Sequence, residues 1–487
     1  MMKNSFLIIL IMSFSCAVIA QDLKTDTDNL AKKKEIINGR FSFYALNKST
    51  GKTIIDKNKN DRMIPASTLK LLTAYSALDL LGKDHQFKTQ LLYTGKVDAE
   101  GKLLGDIVVV GGGDPVFGSA NFSDHYEKSV TLMAQFSQAI KDAGIKSIEG
   151  KVIVDDSYYG GEPLPVDWVW QDVGNYYGAG SHSLSYQENM YEIYLNSKAG
   201  VDELVSVDES SNLLPKLNYL VKAKGASINS DQVYVYSPPY ANYAILRGKM
   251  PLSRSKFKIK AAVPDPGLLV SQLLAKELRN NGISVKGQAM TYRSLNLMGH
   301  PHIRTGETIL LEIKSPKLLN IVNYMNLKSN NLIAEHLVKQ ISKIKGEGIG
   351  STDDGLKTIT GWLRKKGIYD DKIRLKDGSG LSHTNLVTAS WFVTMLTKMS
   401  EESWFDQVMS ELPTAGKTGS MRRVGKGSVI ENKMKAKTGY IDGVRGYVGY
   451  VPNAKNELIV FAIIANDYAF SASAMRKEIA KLLIQLQ

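Results

Sequence analysis

The chain has 487 residues, with 61 Lys+Arg against 48 Asp+Glu, a net charge of +13 and one cysteine. That length exceeds what one hydrophobic core supports, so about two to four domains are expected, and 43% hydrophobic with 22% charged residues excludes a disordered or fibrous chain. One cysteine excludes an internal disulfide framework, a zinc ribbon and a CxxC redox site, while the basic excess points to a polyanion: nucleic acid, an anionic membrane surface or an acidic polymer such as a cell wall.

Met1-Met2-Lys3-Asn4 is a short basic start, Phe6 to Met12 is an unbroken apolar run, and Val18-Ile19-Ala20 ends in the small residues that a signal peptidase accepts. Residues 1–20 are therefore expected to be a cleaved export signal. An N-terminal anchor helix is the alternative, but the apolar run falls short of the roughly 20 residues a spanning helix needs. A lipoprotein signal at Cys16 is a second alternative, against which Ser13-Phe14-Ser15-Cys16 lacks the usual Leu three positions earlier. With cleavage after residue 20 the cysteine lies in the leader, and removing Lys3 takes the charge from +13 to +12.

Residues 21–33 are polar and expected to form a loose lead-in. Phe41 to Leu46, a turn at Lys48-Ser49-Thr50-Gly51 and Thr53 to Ile55 suggest a β-hairpin. Ile64-Pro65-Ala66-Ser67 precedes an apolar run from Thr68 to Leu81, closed by Gly82. Proline before the first turn and glycine after the last are helix punctuation, and a run apolar almost all round predicts a buried helix. From about 89 to 300 short β-like runs alternate with glycine turns, interrupted by a helical stretch near 129–143. Helices are expected again at 316–327, 329–343 and 389–399, then strands at 433–441, 444–452 and 457–465, and a last helix over 474–486. That helix carries Met475, Ile479, Leu482, Leu483 and Leu486 on one stripe, which fits packing on a sheet better than a membrane surface.

Ser67-Thr68-Leu69-Lys70 places a hydroxyl and an amine one turn apart on one face of a helix start. Burial and the helix N-terminus both disfavour positive charge there, so Lys70 could take the proton of Ser67. Alone, S-x-x-K occurs by chance. Ser329-Asn330-Asn331 at the opening of another helix adds a second hydroxyl and an amide. Lys437-Thr438-Gly439 lies on the strand Met434 to Ile441, where Gly439 would leave room for a substrate along the strand and Lys437 and Thr438 could hold a carboxylate. S-x-x-K, S-x-N and K-T-G in this order are a joint signature of penicillin-binding proteins and serine β-lactamases. K-T-G also occurs at Lys417-Thr418-Gly419, but in a loop-like context without alternation; the copy at 437 leads into apolar strands and is preferred.

With these motifs the chain resembles the class C low-molecular-mass penicillin-binding proteins, the D-alanyl-D-alanine carboxypeptidases/endopeptidases, over roughly 35–487. Pro65-Ala66-Ser67-Thr68-Leu69-Lys70-Leu71, Gly111-Gly112-Gly113-Asp114-Pro115, Ser329 to Glu335, Asp377-Gly378-Ser379-Gly380-Leu381-Ser382 and Ala436-Lys437-Thr438-Gly439 carry the resemblance. It implies an α/β (α+β) β-lactamase-like catalytic domain, an antiparallel sheet flanked by helices, built from 35–88 plus 301–487. Residues 89–300 would be a large β-rich insertion of two small domains. It also implies Ser67 as acylated nucleophile, Lys70 as general base, Ser329 as proton relay, Asn331 on the substrate amide and Lys437 as electrostatic support. Thr438 and Ser329 would touch the terminal carboxylate, and the backbone N–H groups of Ser67 and Tyr440 would form the oxyanion hole. No cofactor or metal is implied. Peptidoglycan stem peptides would be substrates, β-lactams covalent inhibitors and the periplasm the location.

Relatives that cut diaminopimelate-bearing stems bind its free end with an acidic and an aromatic residue. In Trp168-Val169-Trp170-Gln171-Asp172 and Tyr176-Tyr177, Asp172 and Tyr177 are the candidates. The chain departs from the pattern at His383, where relatives often have Arg, and at Asp442, where they often have Gln; both count among the candidate substrate-binding positions. The loop 416–420 also lacks the acidic residue relatives favour before Gly-Thr. His300-Pro301-His302 fits a surface loop better than a metal pair. His336 is expected to be packing or surface, and Asp114-Pro115 a structural turn rather than part of a phosphate loop. The basic run from Arg422 to Lys437 has no interleaved aromatics, against nucleic acid. Rival outcomes are a β-lactamase, for which no E-x-x-x-N motif sits where the insertion begins, and a penicillin-binding sensor or peptidoglycan-binding protein without turnover.

Overall fold

The structure is a computed structural model that describes residues 22–126, 131–211, 217–300 and 305–487. The export-signal and Cys16 assignments, and Pro301-His302, lie outside these residues. The chain forms two compact units: residues up to Asp79 with Val322–Asn330 and Ile359–Gln487, and Leu80–Ile321 with Asn331–Thr358. Mixed helices and sheets of this kind are those of the expected fold class.

In the first unit the expected hairpin pairs Arg40–Asn47 with Thr53–Lys57. Together with the C-terminal meander it makes one antiparallel sheet in the order Thr53–Lys57, Arg40–Asn47, Leu458–Asn466, Val444–Pro452, Lys435–Ile441. Leu458–Asn466 is central and buried along almost its whole length, as an apolar run without alternation requires when both faces are covered. One face packs the last helix, Ala472–Ile484, through Met475, Ile479, Leu482 and Leu483. The 21–33 segment is not a loose lead-in. It is helical over 22–31, and Leu23, Thr27 and Leu30, spaced at helical intervals, are buried, with Leu23 and Leu30 in the same core. Elsewhere on the unit, Ala389–Met399 is helical, and the Tyr450 hydroxyl donates to the Leu396 carbonyl at 2.8 Å.

The buried helix near Ser67 begins differently from expectation. Ala66–Leu69 is a 3₁₀ turn and the α-helix proper runs from Lys70 to Leu81. The helix expected over 329–343 starts late: Asn331–Lys345 is helical, whereas Ser329 has φ +59° and sits in the turn after the helix Leu318–Lys328. A left-handed residue cannot belong to a right-handed helix, so Ser329 ends one element and does not open the next.

The second unit holds a five-stranded sheet in the order Ala289–Thr291, Val152–Asp155, Ile107–Val110, Lys88–Tyr93, Thr308–Lys314. Helices Leu132–Asp142 and Pro266–Asn280 share its core through Phe136, Ile140, Val270 and Leu274. The latter helix was not foreseen, although Asp265 caps it by accepting from the Leu268 N–H at 2.9 Å and Pro266 fills the first position. Thr352–Lys365 was also missed. Smaller sheets follow, including Met190–Ser197 between Ser206–Val207 and Arg254–Ala262.

Candidate active site

Pro65, Ala66 and Ser67 form a tight turn before the buried helix, and Ala66 has φ +46°. That conformation costs a residue with a Cβ about 1 kcal/mol or more and persists only where surroundings enforce it. Gly380, at φ +80°, supplies part of the enforcement: a Cβ there would stand 1.9 Å from the Ala66 carbonyl oxygen. Gly439 supplies another part. Its missing side chain admits Pro65 and Thr68, because a Cβ would meet the Pro65 oxygen at 2.6 Å and the Thr68 methyl at 3.2 Å. The space that a side chain at Gly439 would fill is thus occupied by the nucleophile turn.

Two serine–lysine pairs result. Lys70 Nζ donates to Ser67 Oγ at 2.9 Å and to the Ser379 carbonyl at 2.7 Å. Lys437 Nζ donates to Ser329 Oγ at 2.7 Å and to the Thr438 carbonyl at 2.9 Å. Both lysine side chains are fully buried. Burial first, and then the charge of Lys70, hold the Lys437 amine well below the usual lysine range. A buried amine with its charge suppressed can accept a proton as well as donate one, which suits a hydroxyl partner that must lose and regain a proton.

Asp377 opens the turn Asp377-Gly378-Ser379-Gly380. Its carboxylate accepts from the Gly380 N–H at 2.8 Å, the Ser382 N–H at 2.7 Å and Asn385 Nδ2 at 2.8 Å. This turn presents the Ser379 carbonyl to Lys70, and the Asp-Gly-Ser-Gly sequence was the signal for it. Ser420 was not foreseen from the sequence: Thr438 Oγ1 donates to Ser420 Oγ at 2.6 Å.

The second K-T-G copy lies in a different setting. Lys417 is exposed, Thr418 Oγ1 accepts from the Thr414 N–H at 3.0 Å, and Gly419–Met421 is a 3₁₀ turn. Lys437 to Tyr440 instead occupy the last strand of the sheet, with Tyr440 half exposed beneath the Arg445 guanidinium, 4.4 Å from the ring centroid. Asp442 is exposed in the following hairpin turn, and His383 is exposed after the Asp377 turn.

The remaining candidates belong to the second unit. Asn331 Nδ2 donates to the Tyr177 carbonyl at 2.8 Å. Burial, and then the adjacent Asp172, push the Tyr177 hydroxyl above its usual range. Asp172, Tyr177 and Asn331 are thereby brought together. His336 is buried packing, with Nδ1 3.0 Å from the Gly113 carbonyl and Nε2 2.9 Å from Ser185 Oγ. Asp114 is a structural turn residue, accepting from the Val116 N–H at 2.9 Å and from the Tyr126 hydroxyl at 2.8 Å. Among the described residues no group of three or more His, Cys, Asp or Glu is arranged to hold a metal.

An antiparallel sheet with a lysine-paired serine at the head of a buried helix and a K-T-G edge strand defines the penicillin-binding class of serine peptidases. Residues 23–486 match the D-Ala-D-Ala carboxypeptidase 3 (S13) family, and the chain belongs to it. It is 26% identical over 460 residues to the D-alanyl-D-alanine carboxypeptidase of Actinomadura sp. (strain R39), covering 92% of this chain and 81% of that protein. It is also 26% identical to the D-alanyl-D-alanine carboxypeptidase DacB of Haemophilus influenzae, over 88% of this chain and 85% of the relative. The crystal structure of penicillin binding protein 4 (dacB) from Haemophilus influenzae shares the fold, with TM-score 0.78, 24% identity and coverage of 96% and 97%.

Proposed function

We propose that this enzyme, a serine-type D-Ala-D-Ala carboxypeptidase by family, cleaves peptidoglycan stem peptides through an acyl-enzyme on Ser67, as carboxypeptidase, DD-endopeptidase or both. The observation that carries the assignment is the pair of buried lysines, each hydrogen-bonded to one serine: Lys70 to Ser67 and Lys437 to Ser329. Ser67 Oγ attacks the carbonyl of the penultimate D-alanine as Lys70 takes its proton. The C–N bond then breaks as Ser329, backed by Lys437, relays the proton from Lys70 to the leaving amine. Water hydrolyses the ester and restores the Ser67 hydroxyl. The Ser67 and Tyr440 N–H groups stabilise the oxyanion, each worth about 3 kcal/mol. Thr438 holds the terminal carboxylate, with Gly439, His383 and Asp442 lining substrate. Asn331 takes the substrate amide by its place in S-x-N, and Asp172 with Tyr177 reads the third stem residue.

Residues 35–88 and 301–487 are assigned to the catalytic domain, and 89–300 to an insertion of two β-rich domains. A β-lactam mimics the D-Ala-D-Ala amide and is expected to trap Ser67. No helix among the described residues is long and apolar enough to cross a membrane. An exported, periplasmic protein associated with cell wall or membrane surface, by its charge of +13, is the location that fits, with a lipid anchor at Cys16 the alternative. Fluorescent penicillin should label wild-type protein and not Ser67→Ala; retained labelling or D-alanine release by that variant would mean another nucleophile.

A further inference from the structure

The loop carrying the second K-T-G takes no part in the chemistry above, yet it borders the site. Ser420 accepts a hydrogen bond from Thr438, and Gly419 lies so close to Leu327, two residues before Ser329, that a Cβ would stand 2.9 Å from the Leu327 oxygen. The Ala436 N–H donates to the Pro413 carbonyl at 3.0 Å, so the loop continues the sheet beyond its last strand. On this flank lies a cleft of about 190 Å³ lined by Leu327, Ser410, Glu411, Thr414, Lys417, Thr418, Asn432 and Lys435. The charged groups are two lysines and one glutamate. Lys435 Nζ donates to the Ser410 carbonyl at 2.8 Å. Its amine is lowered by burial and raised by Glu411, and the charge of Lys417 lowers it further.

Two ammonium groups beside one carboxylate leave a local excess of one positive charge. The surrounding stretch 417–437 carries seven basic residues against Glu431 alone. A basic cleft beside hydroxyls favours an anion that can accept hydrogen bonds. Its neighbours Thr438 and Ser329 are, in the mechanism above, the groups that meet the leaving side of the scissile bond.

We infer that the Lys417–Lys435 cleft is a subsite for a carboxylate on the peptide attached to the leaving amine, that is, the second stem of a cross-link. This rests on the DD-peptidase reading and deepens it toward endopeptidase action: a lone D-alanine leaving group ends at its own carboxylate, whereas a cross-linked stem continues into the cleft.

The test compares two purified substrates, a cross-linked muropeptide dimer and its pentapeptide monomer, on the full chain. Wild type, Lys417→Gln and Lys417→Glu are assayed for kcat/KM on each. The ratio of dimer to monomer kcat/KM should fall severalfold in Lys417→Gln and about tenfold or more in Lys417→Glu, through KM. Amidating the carboxylates of the leaving stem should lower the wild-type ratio similarly and erase the difference between wild type and Lys417→Glu. Unchanged ratios across the variants, or an amidated dimer cleaved as well as the free acid, would overturn the subsite. Wild type that releases D-alanine from monomer and leaves dimer intact would overturn it too, with the peptidase reading standing. Wild type that cleaves neither would remove both.

Discussion

Lys437→Met separates what the buried amine does for chemistry from what it does for stability. The substitution keeps the volume of the side chain and removes hydrogen bonds to Ser329 Oγ and the Thr438 carbonyl, worth about 1 kcal/mol each. Against that loss stands the amine itself, which is fully buried beside Lys70 with its charged form disfavoured. In the unfolded chain the same group titrates near 10.4, so between its depressed folded value and there the unfolded state binds a proton that the folded state lacks. Stability of the wild type therefore rises with pH through this window, by up to about 1.4 kcal/mol per pH unit. Methionine contributes no such slope. Relative to wild type, the variant should be most favoured toward the acid end of the window and lose that advantage as pH approaches 10.4. Urea unfolding of both proteins at several pH values between neutrality and about pH 10 measures the difference. Labelling by fluorescent penicillin should slow by about 100-fold or more at neutral pH, because a proton-transfer partner is gone. Parallel stability curves, with a difference independent of pH, would refute a neutral buried Lys437. Undiminished labelling would refute its role beside Ser329.

Three further outcomes follow from the same geometry. Gly439→Ala puts a methyl 2.6 Å from the Pro65 oxygen, so thermal unfolding should show a loss of about 1–3 kcal/mol together with slower acylation of Ser67; a variant as stable and as reactive as wild type would mean the turn is not held there. Asp377→Asn sets an amide against the Gly380, Ser382 and Asn385 donors; about 2 kcal/mol of stability should go, with a shifted pH profile of penicillin labelling as the Ser379 carbonyl releases Lys70, and an unmoved profile would confine Asp377 to structure. Asp172→Asn and Tyr177→Phe should alter the preference among stem peptides differing at the third residue while penicillin labelling changes little; equal losses on all substrates would count against third-residue recognition.

The legible parts of the fold were those where pattern and structure are both local. Ala389–Met399 and Val444–Pro452 match the expected bounds because each has a strong period and clear punctuation. The helix over 22–31 was overlooked because its charged residues outnumber Leu23, Thr27 and Leu30, although the i, i+4, i+7 spacing was there. Helix 266–280 carried an Asp-Pro start that was passed over inside a β-rich texture. Ser329 could not be placed in a turn from sequence, since nothing in Ser-Asn-Asn by itself demands φ +59°.

The chemistry available to this protein is legible in the chain alone: which serines, which lysines, and the order of the three motifs that define its family. It is so because motif residues and spacings are written in the chain. Folding distinguishes the two K-T-G lysines: Lys437 is fully buried against Ser329, and Lys417 stands exposed on a basic loop. It also sets Gly380 and Gly439 against the Ser67 turn. Those are questions of burial and close approach between segments hundreds of residues apart, and no local pattern encodes them.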